Sequence, residues 1–96
     1  MTFDAAELRD LEIAIGDRIY LQIANWRLFL GDAGLAKDFA IECSANFHQG
    51  SRVAAKVALE SFKVPVAGGK TFLPLVSLVP SAQLQELEEI LNPYCR

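Results

Sequence analysis

Between Asp4 and Leu30 the apolar residues Leu8, Leu11, Ile15, Ile19, Ile23, Trp26 and Leu30 recur at steps of three and four. That spacing places them on one face of a helix, and no other feature of the chain constrains the fold as tightly. Asp4 stands where a helix needs an N-cap, and Glu7 follows three residues later in a capping-box arrangement. Asp10 and Glu12 continue an acidic bias that suits the positive end of the helix dipole. Gly31 is the expected C-terminal stop. The pattern predicts one continuous helix from Asp4 to Leu30.

At about 100° per residue a second apolar set, Ile13, Tyr20, Leu21, Ala24 and Leu28, falls opposite the first. A helix apolar on two sides either runs through the middle of its domain or lends one side to a partner, because large exposed apolar patches are rare on monomers. Asp17 lies in the same stripe. If the stripe is buried, its carboxylate needs a donor, and Arg18 and Arg27 flank it, so a structural ion pair is the better reading than catalysis. Ile13, Asp17, Tyr20, Leu21, Ala24 and Leu28 form the candidate partner surface.

After Gly31-Asp-Ala-Gly34, Leu35, Phe39, Cys43 and Phe47 recur at steps of four beside Ala36 and Ala40, giving a second helix that Gly50 should end. Ser51 is the expected cap of a third helix through Val64, which Pro65 prevents from continuing. The runs Val64 to Ala67 and Thr71 to Leu73 flank a glycine pair and predict a small hairpin or an irregular loop. Ser77 or Ser81 then caps a last helix, with Leu84, Leu87, Ile90 and Leu91 inward, that ends at Asn92 before Pro93. The expected fold is mainly α: a compact four-helix domain with a short β-hairpin or loop around Gly68-Gly69. With 96 residues, 52% of them hydrophobic, residues 1–96 are expected to form a single domain.

Ala67-Gly-Gly-Lys-Thr71 carries the end of a phosphate-binding loop, Gly69-Lys70-Thr71. Val64 stands where the first glycine belongs and Pro74 spoils the helix that should follow, so a glycine turn is the expectation. His48 is the only histidine. It lies five residues beyond Cys43, a spacing that separates the two side chains on a helix, and no further ligand pair for zinc exists. No metal and no cofactor is expected. Cys43 sits on an apolar stripe, where a structural thiol is expected, with Cys95 as a terminal thiol; a regulatory disulfide between them is the alternative.

The net charge of −3 and the scattered lysines and arginines leave no basic stripe for a nucleic-acid backbone. The longest nearly uncharged apolar stretch, Thr71 to Ala82, contains Pro74 and Pro80 and falls short of the roughly 20 residues a membrane span needs. The opening MTFDAAELRD carries early acids and no cationic region before an apolar block, so the expectation is a cytosolic chain without a secretory signal.

Two blocks carry a resemblance. They are IGDRIYLQIANWRLFLGDAGLA, from Ile15 to Ala36, and GGKTFLPLVSLVP, from Gly68 to Pro80. In residues, order and length the chain resembles a small cyanobacterial family of unknown function whose members are described as thylakoid-associated proteins. The matching positions include Gly16, Asp17, Tyr20, Trp26, Gly31, Asp32, Gly68, Gly69 and Pro74. The resemblance implies a cyanobacterial or phage-related source and a peripheral place on the cytoplasmic face of the thylakoid, and it transfers no catalytic residue.

Three functions compete on these readings. The first is a non-enzymatic protein-interaction module, peripheral to a membrane protein complex or self-associating through the second stripe of the first helix. The second is a carrier of a small molecule or pigment, with Trp26, Phe39, Phe47 and Phe62 around an apolar cavity. The third is a small enzyme in which Asp17, Asp32 or Cys43 converges with His48. The acidic balance speaks against direct binding to anionic lipid, which favours docking on a membrane protein.

Overall fold

A computed structural model describes residues 4–23 and 25–95. The capping box forms as its residues require: the Glu7 amide donates to Asp4 Oδ1 at 2.8 Å and the Asp4 amide donates to Glu7 Oε1 at 3.4 Å. Helix α1 starts there and runs Ala5–Arg18. It stops twelve residues short of Leu30, because Ile19 turns extended, with φ −102° and ψ 132°. The chain then forms an antiparallel hairpin of β1, Tyr20–Ile23, and β2, Trp26–Phe29, pairing Tyr20 with Phe29 and Ile23 with Trp26.

This overturns the single long helix, and the reason lies in the residues. Ile-Tyr-Leu-Gln-Ile and Trp-Arg-Leu-Phe are rich in β-branched and aromatic side chains that suit a pleated surface. Leu21 and Leu28 share one face of the hairpin, Tyr20, Gln22, Arg27 and Phe29 the other. Tyr20, Leu21 and Leu28 of the apolar set opposite the helical stripe therefore lie on strands, to which a helical wheel does not apply.

A one-turn helix α2, Leu30–Ala33, leads into α3, Ala36–Ser44. The predicted extension of α3 to Phe47 fails because side chains take over its last carbonyls: Ser44 Oγ donates to the Ile41 carbonyl at 2.8 Å and Asn46 Nδ2 to that of Glu42 at 3.0 Å. Phe47–Gln49 forms a 3-10 turn, and α4 follows at Ser51–Ser61, with Gly50 rather than Ser51 in the N-cap position. α4 ends three residues before Val64, which belongs to a second antiparallel hairpin of β3, Lys63–Val66, and β4, Thr71–Pro74. Gly68 and Gly69, at φ 71° and 87°, make its turn in a region that residues with a Cβ avoid. After a 3-10 turn at Leu75–Ser77, α5 runs Ala82–Leu91 and stops at Asn92, as its spacing predicts. Ser81 precedes it without a side-chain cap, and Ser77 Oγ donates instead to the Pro74 carbonyl.

The architecture is mainly α, with five α-helices and two small hairpins among the described residues. Leu11, Ile15, Ile19, Leu30, Phe39, Leu75, Leu87 and Leu91 are fully buried in one core. Helix directions follow from contacts at either end of α5. Arg18, at the end of α1, pairs with Glu86, and the Tyr20 amide donates to Gln83 Oε1 at 2.9 Å, while Asp10 and Glu7 act on Tyr94. α1 is therefore antiparallel to α5. Arg52, at the start of α4, lies 3.8 Å from Glu88, and Leu59 and Glu60 face Ser81 and Leu84 across a cleft. α4 is antiparallel to α5 as well. Because β1 follows the end of α1 and β3 the end of α4, both hairpins leave the bundle at the end where α5 begins.

Leu21 is 4% exposed and Trp26 58%. Truncating Leu21 to Ala is expected to cost about 2–5 kcal/mol, whereas Trp26→Ala should stay within about 0.5 kcal/mol of the parent; urea unfolding at equilibrium measures both.

Candidate docking surface

The six residues of the predicted partner stripe do not form one helix face. Ile13 and Asp17 lie exposed on α1, Tyr20 and Leu28 are half-buried on opposite faces of the first hairpin, and Leu21 is core. Ala24 lies outside the described residues. Asp17 is exposed, so a buried carboxylate in need of a donor does not arise. Tyr20 is held within its own sheet face, edge-on to Phe29 at 5.4 Å with the Arg27 guanidinium 4.9 Å above its ring.

Ile13 and Asp17 instead border a cleft of about 280 Å³ with Glu12, Gly16, Gly31 and Lys37. Its floor is the crossing of two glycines. A Cβ built on Gly16 would lie 3.1 Å from Gly31 Cα and 3.3 Å from Ala36 Cβ, and one on Gly31 would lie 3.1 Å from the Gly16 carbonyl oxygen. The backbones of α1 and α2 touch there because neither residue has a side chain.

The residues of the competing chemistries are spread across the fold. Phe39 meets Phe62 edge-on at 5.3 Å in the core, Phe47 stacks on Tyr94 at 5.9 Å, and Trp26 is exposed on the first hairpin, so the four aromatics do not surround one cavity. Cys43 is fully buried and Cys95 half-buried, both as free thiols. Burial, with smaller contributions from Glu42 and Cys95, pushes the Cys43 thiol far above its ordinary range and keeps it protonated. His48 is exposed in the turn before α4, whereas Asp17 and Asp32 lie near the opposite end of the bundle, where the hairpins begin.

At the hairpin end two large aromatics face solvent. Trp26 opens β2 directly after the turn of the first hairpin; Phe72 is 61% exposed, within two residues of the Gly68-Gly69-Lys70 turn of the second. Phe72 stands opposite Pro65 on the outer face of its hairpin, while Val64 on the inner face is buried. Val76, in the 3-10 turn that follows, is also exposed. No acidic residue occurs between Asp17 and Asp32 or between Glu60 and Glu86, so the hairpins carry Arg27, Lys63 and Lys70 and no negative charge. Helical periodicity missed Trp26 and Phe72 as surface residues: it counted Trp26 in the first apolar stripe of a long helix and gave Phe72 no place.

The family model described as Protein of unknown function (DUF3181) matches residues 8–94. The chain belongs to this family. A similar protein is the Thylakoid-associated protein slr0729 of Synechocystis sp. (strain ATCC 27184 / PCC 6803 / Kazusa), 28% identical over 96 residues that cover 98% of this chain and 95% of the relative. The likeness thus runs from end to end, including both hairpins. No solved structure matches the chain. Among the described residues no helix is long and apolar enough to cross a membrane.

The thiols give two checks. A maleimide should label Cys95 in the native protein and Cys43 only on unfolding, counted by mass spectrometry. Because the folded state raises the Cys43 pKa, its contribution to stability is complete below the ordinary value of 9.0. It is lost as pH rises further, by up to about 1.4 kcal/mol per unit. Urea unfolding between pH 8 and 10.5 should show that slope, reduced in Cys43→Ala and not abolished, since burial raises the Cys95 and Tyr94 pKa values too.

Proposed function

We propose that this protein is a non-enzymatic interaction module that sits peripherally on the thylakoid membrane and touches a component of that membrane through its hairpin end. The observation that carries the reading is the end-to-end likeness to a relative named as thylakoid-associated. No helix among the described residues is long and apolar enough to span the bilayer, which supports a surface contact. The hairpin end offers one: its aromatics are the two most exposed large apolar side chains described, and aromatic residues are enriched at interaction surfaces.

The six-residue stripe on the first helix is no longer the contact to test, since Leu21 belongs to the core and Tyr20 is held within its hairpin. The carrier reading draws no support from the dispersed aromatics. The enzyme reading would need a thiolate where burial keeps a thiol, or a carboxylate beside a histidine that sits near the other end of the bundle.

Mixing the purified protein with washed cyanobacterial thylakoid membranes and sedimenting them tests the proposal. The protein should pellet with the membranes and return to the supernatant on washing at alkaline pH, as a peripheral protein does. Recovery in the supernatant throughout would contradict the reading.

A further inference from the structure

The hairpin end has a chemical character of its own. Of the acids near it, Glu86 is paired with Arg18, while Asp17, Asp32 and Glu60 are set back on α1, α2 and α4 at the hairpin bases. Beyond them the charges are Arg27, next to Trp26 in β2 and placed over the Tyr20 ring, and Lys70, in the turn before Phe72; Lys63 opens β3 at the base of the second hairpin. The overall charge of −3 therefore hides a local difference: the helices carry acids together with Arg9, Arg18, Lys37, Arg52 and Lys56, whereas the hairpins carry cations and exposed aromatics without any acid. The acidic balance that argues against anionic lipid is a property of the whole chain, and the hairpins that would meet the lipid carry cations and no acid.

Aromatic rings with cationic neighbours are the chemistry of the membrane-water boundary: the rings settle at headgroup depth and the cations meet anionic headgroups.

We infer that the two hairpins form a direct lipid-binding face, in which Trp26 and Phe72 enter the interfacial zone of a bilayer while Arg27, Lys63 and Lys70 engage anionic headgroups. This rests on the peripheral membrane reading and names the membrane component as lipid. A protein receptor is the competing occupant, and a membrane without proteins separates the two.

Trp26 is the only tryptophan, so its emission reports the contact. The probes are vesicles of phosphatidylcholine alone and of phosphatidylcholine mixed with phosphatidylglycerol in equal parts. The mixed vesicles should shift the emission to the blue and co-sediment the protein, brominated acyl chains should quench it, and added salt should weaken binding. Lys63→Gln and Lys70→Gln should each weaken affinity for the mixed vesicles by roughly fivefold, the equivalent of about 1 kcal/mol per cation near an anionic surface. Phe72→Ala, which keeps the reporter, should weaken it severalfold while the far-ultraviolet circular dichroism stays unchanged. Sedimentation with thylakoid membranes but not with either vesicle would overturn the inference in favour of a protein receptor and leave the peripheral reading standing; no sedimentation with thylakoid membranes would remove both. Vesicle binding that Phe72→Ala and the two lysine variants leave unaltered would overturn the assignment of the face.

Discussion

The contact between Gly16 and Gly31 is the constraint on which the rest of the structure hangs. Gly16 lies inside α1, where glycine costs about 1 kcal/mol relative to alanine, and it is buried. What it permits is an approach at which a Cβ would meet backbone atoms at 3.1–3.3 Å. The chain leaves α1, makes a complete hairpin and returns to lay Gly31 on Gly16, while the Leu30 amide donates to the Ile19 carbonyl at 3.0 Å beside the crossing. The start of α3 packs into the same place, with Ala36 Cβ against Gly16. One close approach therefore closes the base of the first hairpin and sets where the third helix begins.

From that closure the position of the hairpins follows. The first hairpin is pinned at the end of α1, and the Gln22 amide donates to the Leu78 carbonyl at 2.8 Å, joining it to the segment that leaves the second hairpin. The Leu75 amide donates to the Phe62 carbonyl at 2.8 Å and closes the second hairpin at its own base. Both bases thus rest on the stretch from Leu75 to Gln83, and the bundle has one end made of helix termini and turns and another made of strands. A difference in charge comes with it, because the acids stay with the helices while the hairpins carry only cations.

Much of this was legible in the sequence, and the misreadings have physical causes. The capping box at Asp4, the buried faces of α3 and α5, the stop before Pro93 and the glycine turn at Gly68-Gly69 follow from local rules that nothing in the tertiary structure opposes. The long helix was wrong because Ile15 and Ile19 start a helical spacing that Ile23, Trp26 and Leu30 continue by coincidence. Over residues 19–29 strand alternation and helical spacing both fit, and the β-branched and aromatic composition was the deciding evidence. The candidate surface inherited that error, since a wheel assigns to one face residues that two strands send to opposite faces. Gly16 and Gly31 stood among the positions of family resemblance, but their contact joins residues fifteen apart through a hairpin, and only the fold brings them together.

The measurement that bears most directly on this account is the equilibrium stability of Gly16→Ala and Gly31→Ala, singly and together, with amide exchange followed through Tyr20 to Phe29. If the crossing organises the fold, each substitution destabilises by about 1–3 kcal/mol, the usual cost of forcing extra atoms into a packed site. Exchange should accelerate in the first hairpin before α4 and α5, and the double variant should be less destabilised than the sum, since the two changes disrupt one contact. If Gly16→Ala instead stabilises the protein by the roughly 1 kcal/mol that helix propensity alone predicts, with the hairpin amides unchanged, the crossing is not what holds the structure together.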